Sequence, residues 1–211
     1  MSYFPFYIDI TNKTFLIIGG GPVALEKVNR LRRFTNSIIV IAPQTEITGV
    51  EVSAPRGNSD EVQILRREYR EEDLDFADYV VAATGIREVD RGVAADCRLR
   101  KIPVNVVDDR EFCDFIFPGI VKRDALTVAI STGGTSPAYA MQLRGEIEKI
   151  LPAEIGAILE RMGRVRSIAA QRIPDQKKRA ACYRELLAAL IESGNRTTEE
   201  EISTMIEKAA R

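Results

Sequence analysis

The 211-residue sequence contains no histidine, and this absence restricts the chemistry that the chain can perform. Imidazole is a common metal ligand, a common general base and a member of every Ser-His-Asp triad. Without it, acid–base catalysis depends on aspartate, glutamate, lysine, tyrosine or cysteine. The sequence predicts no metal site.

Cysteine is also scarce. Cys97, Cys113 and Cys182 lie far apart, and no C-x-x-C pair occurs among them. An odd, scattered set is typical of reduced thiols rather than of a disulfide framework or a zinc site. We therefore expect three small, partly buried side chains.

Long apolar runs and an excess of one charge are missing as well. No apolar run approaches the ~20 residues that a helix needs to span a bilayer. The opening MSYFPFYIDITNK lacks the basic and then apolar pattern of a secretion signal. With 30 basic and 31 acidic residues, the net charge of -1 favours neither nucleic acid nor a membrane surface as a partner. We expect a cytoplasmic protein.

Short apolar runs alternate with helical patterns through the first half of the chain. The runs are TFLII (14–18), SIIVIAP (37–43), VQILRREY (62–69), DYVVAAT (78–84) and IPVNVVD (102–108). Alternation at this spacing predicts an α/β fold with a Rossmann-type parallel sheet, which binds ligands beyond the carboxyl ends of its strands. FPFYIDI (4–10) is expected to add a strand, and 46–61 to form a polar connection.

The pattern changes after Asp108. Residues 114–132 predict two strands around a turn, and a glycine-rich loop then leads into a helix that ends near Pro152. From 153 onward the periodicity is purely helical. We therefore predict a nucleotide-binding domain at 1–112, a middle segment at 113–152 and an α-helical C-terminal domain at 153–211.

The sequence GGGPVA follows the first predicted strand and opens a helix. It places Gly19, Gly21 and Ala24 in a G-x-G-x-x-A pattern, and this context favours a dinucleotide pyrophosphate at the helix N-terminus. The alternative is a glycine-rich turn in an unrelated α/β protein. The second strand ends in Pro43 and Gln44 without an acidic residue, and the absence of a nearby arginine favours NAD over NADP.

Two other strand ends offer candidate site residues. Ala83 and Thr84 are small enough for a cofactor to lie against the backbone, although close packing would explain them equally well. Asp108 follows the fifth strand and is the best general-base candidate in a chain without histidine. Taken alone it could be a solvated turn residue. Asp109 is expected to point to the opposite side.

The segment STGGTSP (131–137) directly precedes a helix. Its hydroxyl and backbone N–H groups could bind a carboxylate or a phosphate, or could simply cap the helix. Spacing does not distinguish the two alternatives.

Several ordered motifs together resemble one family. YIDITNKTFLIIGGGPVALEK, VAAT, NVVDD and DFIFPGIVKRDALTVAISTGGTSPAYAMQLRGEIEKILP are similar to the precorrin-2 dehydrogenase and sirohydrochlorin ferrochelatase family, the N-terminal module of siroheme synthases. The resemblance covers residues 1 to about 152. It implies NAD as oxidant and a homodimer built by the middle segment, with a tetrapyrrole that carries eight carboxylates as substrate.

The resemblance also implies roles for individual residues. Asp108 matches the family's essential aspartate, while Pro22 stands where the family often has aspartate. The expected cofactor-binding residues are Gly19, Gly20, Gly21, Pro22, Val23, Ala24, Pro43, Gln44, Ala83 and Thr84. The expected substrate-binding residues are Asn105, Ser131, Thr132, Gly133, Gly134, Thr135 and Ser136.

The activity that follows from the resemblance is NAD-dependent oxidation of precorrin-2 to sirohydrochlorin. One alternative is a bifunctional enzyme that also inserts Fe²⁺, with the macrocycle's own nitrogens binding the metal. A second, from another class, is a nucleotide-sensing module that binds NAD(H) without turnover. The sensor would require neither NVVDD nor STGGTSP beside the glycine loop.

Overall fold

The computed structural model describes residues 3–57 and 59–211 and divides them into two compact units, one ending at Phe117 and the other running from Pro118 to Arg211. Residues 1, 2 and 58, which fall in the predicted nucleotide-binding domain, lie outside the described residues, and residue 58 also falls in the predicted polar connection. Residues 113–117 belong to the first unit. Asp114 accepts a hydrogen bond from the backbone N–H of Val104, 3.0 Å away.

The first unit is built on a parallel sheet. Its elements are β1 Phe15–Ile18, α1 Pro22–Leu31, β2 Ile38–Ile41, β3 Val50–Glu51, β4 Gln63–Leu65, β5 Tyr79–Ala82, α2 Arg87–Arg100 and β6 Val104–Val106. Among the described residues the sheet has six strands in the order β3-β4-β2-β1-β5-β6, and every neighbouring pair is parallel. The predicted Rossmann-type α/β fold is confirmed.

Both faces of this sheet are buried, which explains why its strands are apolar at nearly every position. Leu16 and Ile18 of β1 pack with Val93 of α2 on one face. Ile17, between them in sequence, packs with Val28 of α1 on the other face. Each fully buried side chain of this size stabilises the fold by about 1.5–3 kcal/mol.

Two expectations for the first unit are wrong. Residues 4–10 form no strand. Pro5 has no N–H for a ladder, and most side chains of the segment, such as Phe4 at 76% exposure, remain in solvent. The connection at 46–61 contains β3, which pairs with β4. Both β3 residues are exposed, so no apolar run marked it.

The second unit combines a hairpin with helices. Its elements are β7 Gly119–Arg123, β8 Leu126–Ile130, α3 Pro137–Ile150, α4 Ile155–Arg172, α5 Gln176–Glu192 and α6 Glu199–Ala210. The strands β7 and β8 are antiparallel, and α4, α5 and α6 share a core that includes Ile158, Leu186 and Ile206. The described helix α3 has no buried residue.

Candidate functional site

A cavity of about 510 Å³ opens in the first unit beyond the carboxyl ends of β1, β5 and β6. In the sheet, β2 lies on one side of β1 and β5 lies on the other. The topological switch point of the sheet is therefore between β1 and β5. Parallel α/β sheets bind their ligands in this crevice. The cavity volume is within the usual range for small-molecule sites.

The three glycines after β1 have different roles. Gly19 has φ +123°, and a Cβ there would lie 2.2 Å from the carbonyl oxygen of Ala83, so only glycine fits. A Cβ on Gly20 would lie 2.2 Å from the carbonyl oxygen of Gln44. A Cβ on Gly21 would meet no atom within 4 Å, and Gly21 lines the cavity as the N-cap of α1. Gly19 and Gly20 permit close packing, and Gly21 leaves open space where a phosphate can approach.

The first turn of α1 continues the same wall of the cavity. Pro22 and Val23 line it, and Val23 is 41% exposed. Ala24 is fully buried against the sheet, so its side chain serves helix packing rather than ligand contact. No acidic side chain occupies the first turn of α1, which leaves the helix N-terminus available to an anion.

The loop after β5 is fixed by a buried carboxylate. Asp90, 4% exposed, accepts hydrogen bonds from the backbone N–H of Thr84 at 3.0 Å and from its hydroxyl at 2.8 Å. Ala83, Thr84 and Asp90 all line the cavity. Asp90 was missed in the sequence because it lies inside a helical pattern, six residues from its partner.

Two adjacent aspartates line the cavity after β6. Asp108 is exposed and has φ 60°, a left-handed conformation that aspartate and asparagine tolerate better than most residues. Among the described residues, its carboxylate makes no ion pair. Asp109 does not point to the opposite side as expected, because β6 ends at Val106 and strand alternation stops there.

Asp109 is held by an arginine pair on α2. Its Oδ2 lies 2.9 Å from Nε of Arg91 and 3.5 Å from Nε of Arg87, and its side chain is only 12% exposed. The Arg91 guanidinium also stacks over the Phe112 ring, 4.8 Å from its centroid. Arg91 and Asp109 are 18 positions apart in the sequence, so local sequence pattern does not predict their pairing.

Cys113 supports the end of β6. Its thiol donates to the carbonyl of Val106 at 3.1 Å, and its sulfur accepts from the N–H of Val106 at 3.2 Å. Burial raises the pKa of this thiol. Cys113 therefore remains protonated at neutral pH and does not compete with Asp108 as a base. Cys97 and Cys182 are free and buried, and burial raises the pKa of Cys97 to about 12.

Pro43 and Gln44 are exposed at the end of β2 and are not among the cavity-lining residues. The expectation that no arginine lies near this loop is wrong. Arg66, just after β4, approaches the carbonyl of Thr45 at 3.4 Å and pairs with Glu51 through an Nε–Oε1 distance of 2.6 Å. Only the folded sheet brings Arg66 to this loop.

Asn105 is buried, and its amide nitrogen donates to the carbonyl of Phe115 at 2.8 Å. This side chain is absent from the cavity lining and helps to hold the end of the first unit.

The loop at 131–136 lies in the second unit and is largely exposed. Ser136 accepts a hydrogen bond from the N–H of Tyr139 and caps α3. The Thr132 hydroxyl donates to the carbonyl of Ser136, and the Ser131 hydroxyl accepts from the N–H of Gly133. Gly133 and Gly134 both have positive φ. These contacts correspond to the alternative in which the segment caps the helix.

A glycine loop and an exposed helix N-terminus at the switch point of a parallel sheet define a dinucleotide-binding domain of Rossmann type. Residues 6–119 match the model of a protein family described as "Putative NAD(P)-binding". The chain belongs to this family, which makes a nicotinamide dinucleotide its cofactor class. Residues 123–150 match a second model, described as the central part of sirohaem biosynthesis proteins.

Two curated relatives share the name siroheme synthase. The siroheme synthase of Thioalkalivibrio sulfidiphilus is 37% identical over 89% of this chain, and that of Methylococcus capsulatus is 37% identical over 85%. In both cases the match covers 37% of the relative, so the chain spans well under half the length of these proteins.

A solved structure of SirC, a precorrin-2 dehydrogenase, has a TM-score of 0.71 and covers 98% of both chains at 19% identity. This likeness supports the fold, including the C-terminal helices. No helix in the described part of the chain has the length and apolar character required to cross a membrane.

Proposed function

We propose that this chain oxidises precorrin-2 to sirohydrochlorin, with NAD as the hydride acceptor. The observation that carries the proposal is the cavity in which the glycine loop and Asp108 line the same space. The names of the siroheme synthase relatives and of the SirC neighbour supply the substrate.

The residues of the cavity suit a nicotinamide dinucleotide. The pyrophosphate would lie against Gly21 and the N-terminus of α1, where a Cβ would meet open space. Pro22, Val23, Ala83 and Thr84 would flank the rest of the cofactor. When bound, NAD supplies the electrophilic carbon that accepts a hydride.

NAD is proposed rather than NADP because Arg66, which contacts the loop after β2 at Thr45, is already paired with Glu51. Arg66 is neutralised by Glu51 beside the loop at the end of β2, where the ribose would lie. The Glu51→Gln variant should release this guanidinium and raise kcat/KM for NADP relative to NAD. A wild-type preference for NADP would contradict the assignment.

Asp108 is the group proposed to accept the proton. Oxidation of precorrin-2 removes two hydrogens, one as the hydride and one as a proton from elsewhere on the ring. An exposed carboxylate without an ion pair in the described chain is suited to accept that proton, and the thiol of Cys113 is not. The loop Ser131–Ser136 in the second unit remains the predicted contact for substrate carboxylates.

A homodimer through the second unit is part of the proposal. The hairpin of β7 and β8 already packs against α3 and α4, so the dimer is proposed from the apolar side chains that α3 exposes. The helix α3 exposes 56% of Tyr139, 73% of Met141 and 77% of Ile150. A second copy would bury these side chains.

Anaerobic incubation with precorrin-2 and NAD⁺ tests the function directly. We expect one NADH for each sirohydrochlorin formed. A second incubation, with sirohydrochlorin and Fe²⁺ as substrates and no NAD⁺, separates metal insertion from oxidation. Tight NAD(H) binding without NADH formation would favour the sensing module instead.

A further inference from the structure

Four charged side chains line the cavity, and the proposed oxidation gives one of them no role. Oδ1 of Asp90 accepts two hydrogen bonds from Thr84, and Oδ2 of Asp109 is paired with Arg91 at 2.9 Å. The remaining charges in the lining are Asp108 and Arg87. Asp108 has a proposed role in proton transfer, whereas Arg87 has none.

Arg87 is only weakly bound by the protein. It is the first residue of α2, and its side chain is 74% exposed. Its one ion pair in the described chain is the 3.5 Å approach of Nε to Oδ2 of Asp109, which is long for a hydrogen bond. The same oxygen already accepts from Arg91 at 2.9 Å. The Arg87 guanidinium therefore retains donors for a ligand anion.

The guanidinium of Arg87 is observed on the Asp109 side of the cavity. Asp109 follows β6, whereas the pyrophosphate of the cofactor would lie at the glycine loop after β1. The strand β5 separates β1 from β6, and two strand spacings amount to about 10 Å. Arg87 thus belongs to the half of the cavity that contains Asp108 and Asp109.

We propose that Arg87 binds a carboxylate of the tetrapyrrole substrate and holds the macrocycle beside Asp108. This inference rests on the proposed function. The planar guanidinium presents paired donors that match a carboxylate, and a macrocycle with eight carboxylates offers one at any edge. Arg87 is a substrate-binding residue in this account and transfers no proton.

Equilibrium binding to Arg87→Gln tests the proposal without requiring turnover. We expect the Kd for sirohydrochlorin, measured in the presence of NADH, to rise about 10- to 100-fold, the usual effect of losing a hydrogen bond to a charged group. The Kd for NADH alone should not change. Arg87→Lys should lie between wild type and Arg87→Gln, because it keeps the charge and loses the paired donors.

Arg33→Gln is the matched control, since it removes an exposed arginine of the same unit that does not line the cavity. Equal tetrapyrrole affinity in Arg87→Gln and wild type would overturn the proposal. A weaker Kd for NADH in Arg87→Gln would assign the guanidinium to the cofactor instead, and would also overturn it. Failure of the proposed function is a separate result, because wild type would then bind tetrapyrrole without forming NADH. If wild type bound no tetrapyrrole, both proposals would fall.

Discussion

Replacing Gly21 with aspartate should weaken cofactor binding about 100-fold or more without damaging the fold. Gly21 is the N-cap of α1 with φ -78° and ψ -176°, a conformation open to any residue, and a Cβ there meets no atom within 4 Å. No side chain caps this helix in the wild type. Aspartate is a favourable N-cap, so the free energy of unfolding should stay the same or increase by a few tenths of a kcal/mol.

The loss of affinity can be estimated from charge alone. Two like charges 4 Å apart repel by about 4 kcal/mol at an effective dielectric constant of 20. A repulsion of that size weakens binding about 1000-fold, and screening by salt reduces it to about 100-fold or more. Gly21→Asn has nearly the same size without the charge, and we expect it to weaken NAD binding only about tenfold.

Calorimetric titration with NAD⁺ and thermal unfolding of the two Gly21 variants measure these effects. Gly20→Ala provides the opposite case, since its Cβ would lie 2.2 Å from the carbonyl oxygen of Gln44 and should destabilise the fold itself. Wild-type affinity in Gly21→Asp would remove the pyrophosphate from this loop. Equal losses in Gly21→Asp and Gly21→Asn would refute the electrostatic reasoning.

Three further predictions concern the adjacent aspartates Asp108 and Asp109 and the dimer. Asp108→Asn introduces a residue that also tolerates φ 60°. It should lower the rate of NADH formation about 10²- to 10⁴-fold and leave the NAD affinity, measured by titration, unchanged. Near-normal turnover would mean that solvent accepts the proton and that Asp108 does not. Asp109→Asn should retain more activity and instead lower the free energy of unfolding by about 1 kcal/mol, because the partly exposed Arg91 loses its charged partner. Denaturant titration measures this, and an unchanged midpoint would contradict it. Sedimentation at micromolar concentration should show a dimer that Met141→Glu on α3 dissociates; a monomeric wild type would disprove the assembly.

Local pattern was enough to predict most of the sheet and the glycine loop. Most strands of this sheet are buried on both faces and therefore appear as continuous apolar runs. The contacts that complete the site are different, because Asp109 and Arg91 meet only after β6 and α2 have packed together. Arg66 reaches the loop after β2 in the same way.

The errors have the same physical origin. Strand β3 consists of two exposed residues whose pairing depends on β4, while Phe4 belongs to an apolar segment without strand pairing. Composition identifies residues that are able to form a strand. Pairing depends on a neighbour that local sequence does not specify.

The central claim is that the macrocycle gives its hydride to a nicotinamide bound at the cavity of the first unit. Precorrin-2 deuterated at the hydride-donating carbon, incubated anaerobically with NAD⁺ and the wild-type protein, tests it most directly. Mass spectrometry of the reduced cofactor should find one substrate-derived deuterium per NADH, in amounts equal to the sirohydrochlorin formed. Sirohydrochlorin produced without labelled NADH would contradict the account.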